Sequence, residues 1–263
     1  MINDGCIGAA IIVIVAFAGW TRHVLTTAAL GCRRAERWPL LVMPALGLAA
    51  LFVVLARWAD PDIWKENGSL IVVFVASGLA WMLIPVHAFA WLNVSLHRDA
   101  LAGRNPAAVW TCAGALLAVE LTFAGGNIGT GSEVTTFLSA ALATGMLFVL
   151  WLAIEMISHI SVAITVERDV GSGVRLAGLL VALGLILGRA VAGDWVSIHD
   201  TLRDFIRDGW TADALALGAA VVDRRLQPTG RAPVRTTLVA GVLPALAYVA
   251  VAGSWLAHLG SWK

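Results

Sequence analysis

Charge is what this sequence has least of. Asp, Glu, Lys and Arg make up only 13% of its residues, about half of the roughly 25% found in soluble domains. Hydrophobic residues reach 59% and the mean hydropathy is +0.84. A water-soluble core is excluded, and the composition belongs to a chain that lives in lipid. Lysine is scarcest: only Lys65 and Lys263 occur, both outside the apolar runs, so no Schiff base to retinal can form within a helix. The three cysteines, Cys6, Cys32 and Cys112, have neither disulfide-framework nor zinc-site spacing. A formal charge of +1 gives no case for a nucleic-acid partner. Phosphate-loop, HExxH and GxSxG patterns are missing, which argues against nucleotide-driven and hydrolytic chemistry. The opening MINDGC has Asp4 where a secretory signal would carry basic residues, so the first apolar run is expected to be retained.

Long apolar runs, glycine and tryptophan are abundant. A helix crosses a hydrocarbon core of roughly 30 Å in about 20 residues. Seven stretches meet that length: Cys6 to Val24, Trp38 to Ala56, Ser69 to Val94, Pro106 to Gly125, Val134 to Ile164, Ser172 to Ala192 and Thr236 to Ala257. An eighth, Ile198 to Val222, opens with the charged HDTLRDFIRDGW and would not be chosen on hydropathy. Basic residues settle the orientation, because short cytoplasmic loops retain Lys and Arg. Twelve of the eighteen, namely Arg22, Arg33, Arg34, Arg37, Arg98, Arg104, Arg168, Arg175, Arg224, Arg225, Arg231 and Arg235, fall on one set of alternate connections. With eight spans both termini lie outside and those connections are cytoplasmic.

Internal similarity gives the same count. RWPLLVMPALG from Arg37, RNPAAVWTCAG from Arg104, RDVGSGVRLAG from Arg168 and RAPVRTTLVAG from Arg231 each run from an Arg to a Gly ten residues on. The first of the four is the faintest copy. Four two-helix units follow, 1–67, 68–131, 132–196 and 197–263, forming one all-α polytopic bundle of eight spans. In each unit the Arg is expected to snorkel to the headgroups. Gly47, Gly114, Gly178 and Gly241 are expected at helix contacts, since small residues let backbones approach where no hydrophobic drive exists. Most tryptophans, among them Trp20, Trp38, Trp110, Trp210 and Trp255, fall near boundaries as interface anchors.

The strings RNPAAVWTCAGALLAVELTFAGG and ERDVGSGVRLAGLLVALGLILGRAVAGDW, followed by SIHDTLRDF and DRRLQP, resemble the repeat of the YjfL-like bacterial inner-membrane family, domain of unknown function 350. The similarity covers Ser95 to the C-terminus, most strongly Arg104 to Pro228. The first hundred residues depart from it, since Trp38 stands where the family has Asn or Asp after the Arg. The resemblance implies duplicated multi-pass helical units, a bacterial inner membrane, an association with envelope-stress proteins and no assigned chemistry.

Charged groups at membrane depth cost at least about 2.5 kcal/mol each on insertion scales, so each is a functional candidate. Glu120 falls toward the outer end of its span. His87, Glu155 and His159 fall toward the inner side, and the four-residue spacing of Glu155 and His159 puts them on one helix face. Structural roles, a proton or ion relay, and a metal or haem site are all open to these three. No cofactor is expected, with haem b as the one open candidate. Pro85 should kink the third span beside His87. Asp200, Arg203, Asp204, Arg207 and Asp208 alternate in sign at helical spacings, fitting either the membrane interface or a wet interior shared with Glu120, Arg189 and Asp194. The reading that best fits the whole is a non-enzymatic oligomeric subunit, scaffold or conduit, with lipid and homo- or hetero-oligomeric membrane partners. The alternative is a proton- or ion-coupled transporter or a redox protein.

Overall fold

The computed structural model describes residues 4–26, 37–60, 63, 69–194, 197–227 and 236–260. Among them the regular elements are all helical: α1 Asp4–Thr26, α2 Pro39–Arg57, α3 Ser69–Leu83, α4 Pro106–Gly126, α5 Glu133–Ser158, α6 Ile160–Thr165, α7 Val170–Ala190, α8 Ile198–Leu226 and α9 Leu243–Leu259. A 3₁₀ segment over Ile84–Leu92 and π-type turns over Leu96–Ala102 and Leu238–Val242 extend or join them. Six stretches of the described residues are long and apolar enough to cross a membrane: Pro39–Arg57, Leu70–Leu92, Pro106–Gly126, Val134–Ser158, Val170–Ala190 and Leu238–Leu259. α1 and α8 are not among the six; α8 is one unbroken helix of 29 residues with charges in its first half and again at Asp213 and Asp223 to Arg225.

Two expected continuous spans are broken locally. The run from Ser69 is α-helical only to Leu83 and then tightens to 3₁₀ at Ile84, next to Pro85, which has no N–H to give the α-type ladder. It ends at Asn93 in the left-handed region, φ 62°. The run from Val134 stops at Ser158, turns through a left-handed His159 with φ 53°, and restarts at Ile160.

At the centre of the bundle, α4 and α7 have 89% and 72% of their apolar windows buried, against 44% or less for the other candidate spans. The two lie backbone to backbone. A Cβ on Gly114 would stand 2.6 Å from the Ala177 Cα, one on Gly173 2.6 Å from the Ala107 Cα, and one on Gly184 2.8 Å from the Ala118 Cα. These contacts advance along both helices together, so α4 and α7 are parallel. On one flank α2 reaches α4 through Gly47, which faces Leu117 and Glu120; on the other, Gly178 faces Ala245 of α9 and Gly241 faces Gly171. The row α2–α4–α7–α9 thus meets through small residues, the means by which helices associate in lipid. A second layer covers it: α1 packs on α3, α3 on α2 and α4, and α5 against α4, α7 and α8. Trp81 Nε1 of α3 donates to Thr144 Oγ1 of α5 at 3.0 Å, and Thr144 pairs with Thr122 of α4 at 2.8 Å.

Turns fasten both ends of the row. Where α4 and α7 begin, the Asn105 side chain accepts from the Ala107 and Ala108 N–H groups and Asp169 from the Ser172 N–H, capping the free donors of each first turn. Before these caps Arg104 and Arg168 are left-handed, φ 50° and 57°. Gly103 N–H donates to Arg98 O and Asn105 N–H to Asp99 O, while Glu167 N–H donates to Val162 O and Asp169 N–H to Ala163 O. Each partner in the second pair lies 64 residues after its counterpart in the first (167−103). Arg104 and Arg168 are exposed, but Arg37 is buried and donates to the Val24 carbonyl at 3.2 Å, closing the end of α1 instead of reaching outward. Arg33, Arg34, Arg231, Arg235, Cys32 and Lys65 lie outside the described residues.

At the opposite end Gly129 N–H donates to Trp58 O and Gly193 N–H to Ile128 O. Both glycines have positive φ, 101° and 137°, which a side chain would strain. Thr130 donates to Asp194 Oδ1 through its N–H at 2.7 Å and its hydroxyl at 2.8 Å, and these bonds hold the Asp194 carboxyl below the usual carboxylate range.

Gly114→Ala should destabilise the protein by about 1–3 kcal/mol, because the added methyl meets backbone that cannot move aside. Gly145→Ala, where nothing lies within 4 Å, should be neutral or stabilising by up to about 1 kcal/mol; thermal unfolding of both variants in detergent checks the pair. A lowered Asp194 pKa means that its staple is fully present above the unfolded carboxylate value and lost as pH falls through the folded one. The protection factor of the Thr130 amide in hydrogen exchange should therefore drop on acidification and become insensitive to pH in Asp194→Asn.

Candidate functional site

Glu120 stands in the last third of α4 with its side chain fully buried. Its methylenes lie where Gly47 of α2 has no side chain, since a Cβ there would stand 2.8 Å from both the Glu120 Cβ and Cγ. Its carboxyl fills the space left by Gly78 of α3, whose Cβ would stand 2.5 Å from Oε1. Neither oxygen has a hydrogen-bond partner. The lining is apolar, with Leu51, Leu117 and Phe123 as neighbours of the two glycines. A buried polar group normally finds a partner, and among the described residues this is the carboxyl with both oxygens buried and unpartnered.

The buried acid of α5 is satisfied. Glu155, buried in the last turn of α5, accepts from the Ser161 N–H at 2.9 Å and from the Ser161 hydroxyl at 2.5 Å. It closes the start of α6, and the left-handed His159 supplies the turn that brings Ser161 back to it. His159 and His87 are exposed, on α5's end and on the 3₁₀ segment. Among the described residues no side-chain hydrogen bond or ring contact joins His87, Glu155 and His159, nor do any three His, Cys, Asp or Glu side chains cluster in a way that could hold a metal ion. Trp91 is 83% exposed, whereas Trp151 is fully buried.

In the first half of α8, Asp200, Arg203, Asp204 and Arg207 face outward and Asp208 is buried. Arg207 bridges Asp204 at 3.1 Å and Asp208 at 2.7 Å, and the Asp208 carbonyl accepts from Trp255 Nε1 of α9 at 3.0 Å. Asp200 shares the helix start with the Ser197 hydroxyl. Asp200 and Asp204 line an open cavity of about 190 Å³ with Asp194 and Gly193. Glu120 is not part of it.

Sequence patterns do not single out the most deeply buried ion pair among the described residues. Arg175 of α7 and Asp223 of α8 are 0% and 1% exposed. The Arg175 guanidinium donates to the Asp223 carboxylate, to the Ala240 carbonyl and to the Ser172 hydroxyl. One side chain thereby ties α7, α8 and the turn leading into α9. The available signal was an Arg seven residues past the unit's boundary Arg, where the apolar run has already begun; a charge there needs a partner.

Removing one member of a buried pair leaves an uncompensated charge and costs about 3–5 kcal/mol. Asp223→Ala should lose about that much stability, and Arg175→Met with Asp223→Leu should recover most of it; chemical unfolding in detergent measures both. No protein-family model, no curated protein and no solved structure matches the chain.

Proposed function

We propose that the chain is a bacterial inner-membrane protein of eight spans, arranged as four two-helix units with both termini outside. It works as a non-catalytic subunit or scaffold within a larger membrane assembly or conduit. In this reading α1 and α8 complete the set of six apolar spans, and the 64-residue recurrence of backbone bonds around Arg104 and Arg168 supports the two-helix unit. The resemblance to the YjfL-like family supports the bacterial envelope as its place and envelope stress as its context.

One observation carries the assembly role: among the described residues the small-residue row is open at α9. The buried side of α9 uses Ala245 against Gly178. Its other side exposes Ala247, Ala250, Gly253, Ser254 and Ala257, repeating at the spacings of a close helix contact. The same kind of surface is enclosed between α4 and α7, and a second copy or a partner helix would continue the row.

The test is oxidative cross-linking in native membranes with Cys6, Cys32 and Cys112 replaced by serine. Ala250→Cys should give a cross-linked oligomer, and Leu217→Cys, on the outer face of α8, should not. A chain that stays monomeric in both variants, and in mild detergent by light scattering, would remove the assembly role.

A further inference from the structure

The buried carboxyl of Glu120 has a one-sided surrounding. Toward the start of α4 it is closed by the Gly47 contact and by Leu117, while Gly78 meets the carboxyl itself between Glu120 and Phe123. Toward the other end, Phe123 and Asn127 follow at three and seven residues, on the same face of the helix. Phe123 is fully buried and packs on Trp81 and Phe137, with ring centroids 5.6 and 5.9 Å away. Beyond it the Asn127 side chain donates to the Phe123 carbonyl at 2.7 Å and leaves its own oxygen without a partner. Asn127 also lines a cavity of about 160 Å³ with Asp60, Phe74 and Thr136, large enough for a few water molecules. One aromatic layer therefore separates a cavity that bears Asp60, Asn127 and Thr136 from a carboxyl that is offered no hydrogen-bond donor.

The chemistry of the slot selects its ligand. A metal cation needs several oxygen ligands, six or more for calcium and an octahedral set for magnesium. Here one carboxyl faces apolar walls so close that a methyl on Gly78 would touch its oxygen. A proton is the one positive species that fits. Charged groups of the packed elements stay away: α2 brings only Arg57, ten residues or about 15 Å beyond Gly47, and α3 has no titratable side chain. α4 itself adds only Cys112, while α7, with Arg175 and Arg189, packs on the other side through Ala118 and Leu121. α5 meets α4 at Thr122 and has its acids in its first residue and last turn.

We propose that Glu120 is a proton-binding site, closed toward the start of α4 and connected through Phe123 to the cavity at Asn127. A proton bound at its carboxyl removes a charge that the slot has nothing to compensate. Proton release requires the Phe123 layer to open. This inference does not rest on the assembly role and survives its failure.

Infrared spectroscopy of the full-length protein in liposomes at neutral pH tests it. The carbonyl stretch of a protonated carboxylic acid should be present, shift in heavy water, disappear in Glu120→Gln and persist in Glu155→Gln. Exchange of that band into heavy water should become several-fold faster in Phe123→Ala. A wild-type spectrum without the band, or a band retained in Glu120→Gln, overturns the site; an unchanged exchange rate in Phe123→Ala overturns the route. Should Glu120→Gln fail to fold, dicyclohexylcarbodiimide on the wild-type protein replaces it, since this hydrophobic reagent attacks protonated carboxyls. A mass-mapped adduct at Glu120 supports the site, and its absence overturns it.

Discussion

The approach of α4 and α7 through Gly114, Gly173 and Gly184 is the constraint on which the other contacts depend. Lipid tails are as apolar as leucine, so burying apolar surface gives no drive for helices to meet there. Contact must come from van der Waals packing over a length of backbone, and a single Cβ at Gly114 would be enough to separate it. Because α4 and α7 are parallel and close, the turns at their ends come within hydrogen-bond reach of one another, and Gly193 can donate to Ile128 just as Gly129 donates to Trp58. The second layer then packs against a fixed row.

Polar groups inside the bundle divide by what satisfies them. Arg175 and Asp223 compensate each other, and Arg175 uses its remaining donors to join three elements. Glu155 completes the start of a helix, doing for α6 what Asp169 does for α7. Threonine hydroxyls return to carbonyls one turn back, as Thr111 does to Ala107. Glu120 follows none of these patterns. It sits where two glycines leave room for a side chain and where no donor is offered, so its place in the bundle has no structural purpose comparable to the others.

Much of this was legible along the chain, and the gaps have physical reasons. Apolar length and low charge identify helices of membrane dimensions directly. The two breaks, at Ile84 and His159, were hidden because apolar composition continues through them; only Pro85 marked the first. A glycine ten residues after an arginine is a feature of the sequence, but the group it meets is not. Gly114 faces Ala177, whereas Gly47 in the same position of its own segment faces the arm of Glu120. The four-residue spacing of Glu155 and His159 implies a shared face on a continuous helix, and the left-handed turn at His159 removes that premise.

The sequence by itself therefore determined that the chain is helical and suited to lipid, since segment length and hydropathy are local properties. The caps of α4 and α7 are likewise local, since Asn105 and Asp169 accept from the first turns that directly follow them. Only the tertiary structure decided which charges are paired. Arg175 and Asp223 are 48 residues apart, and Glu120 differs from Glu155 in that the chain turns at His159 to bring Ser161 back to Glu155, whereas neither α4 nor its neighbouring helices offer Glu120 a donor. Satisfaction of a buried polar group depends on donors supplied across space, and no spacing along one helix specifies them.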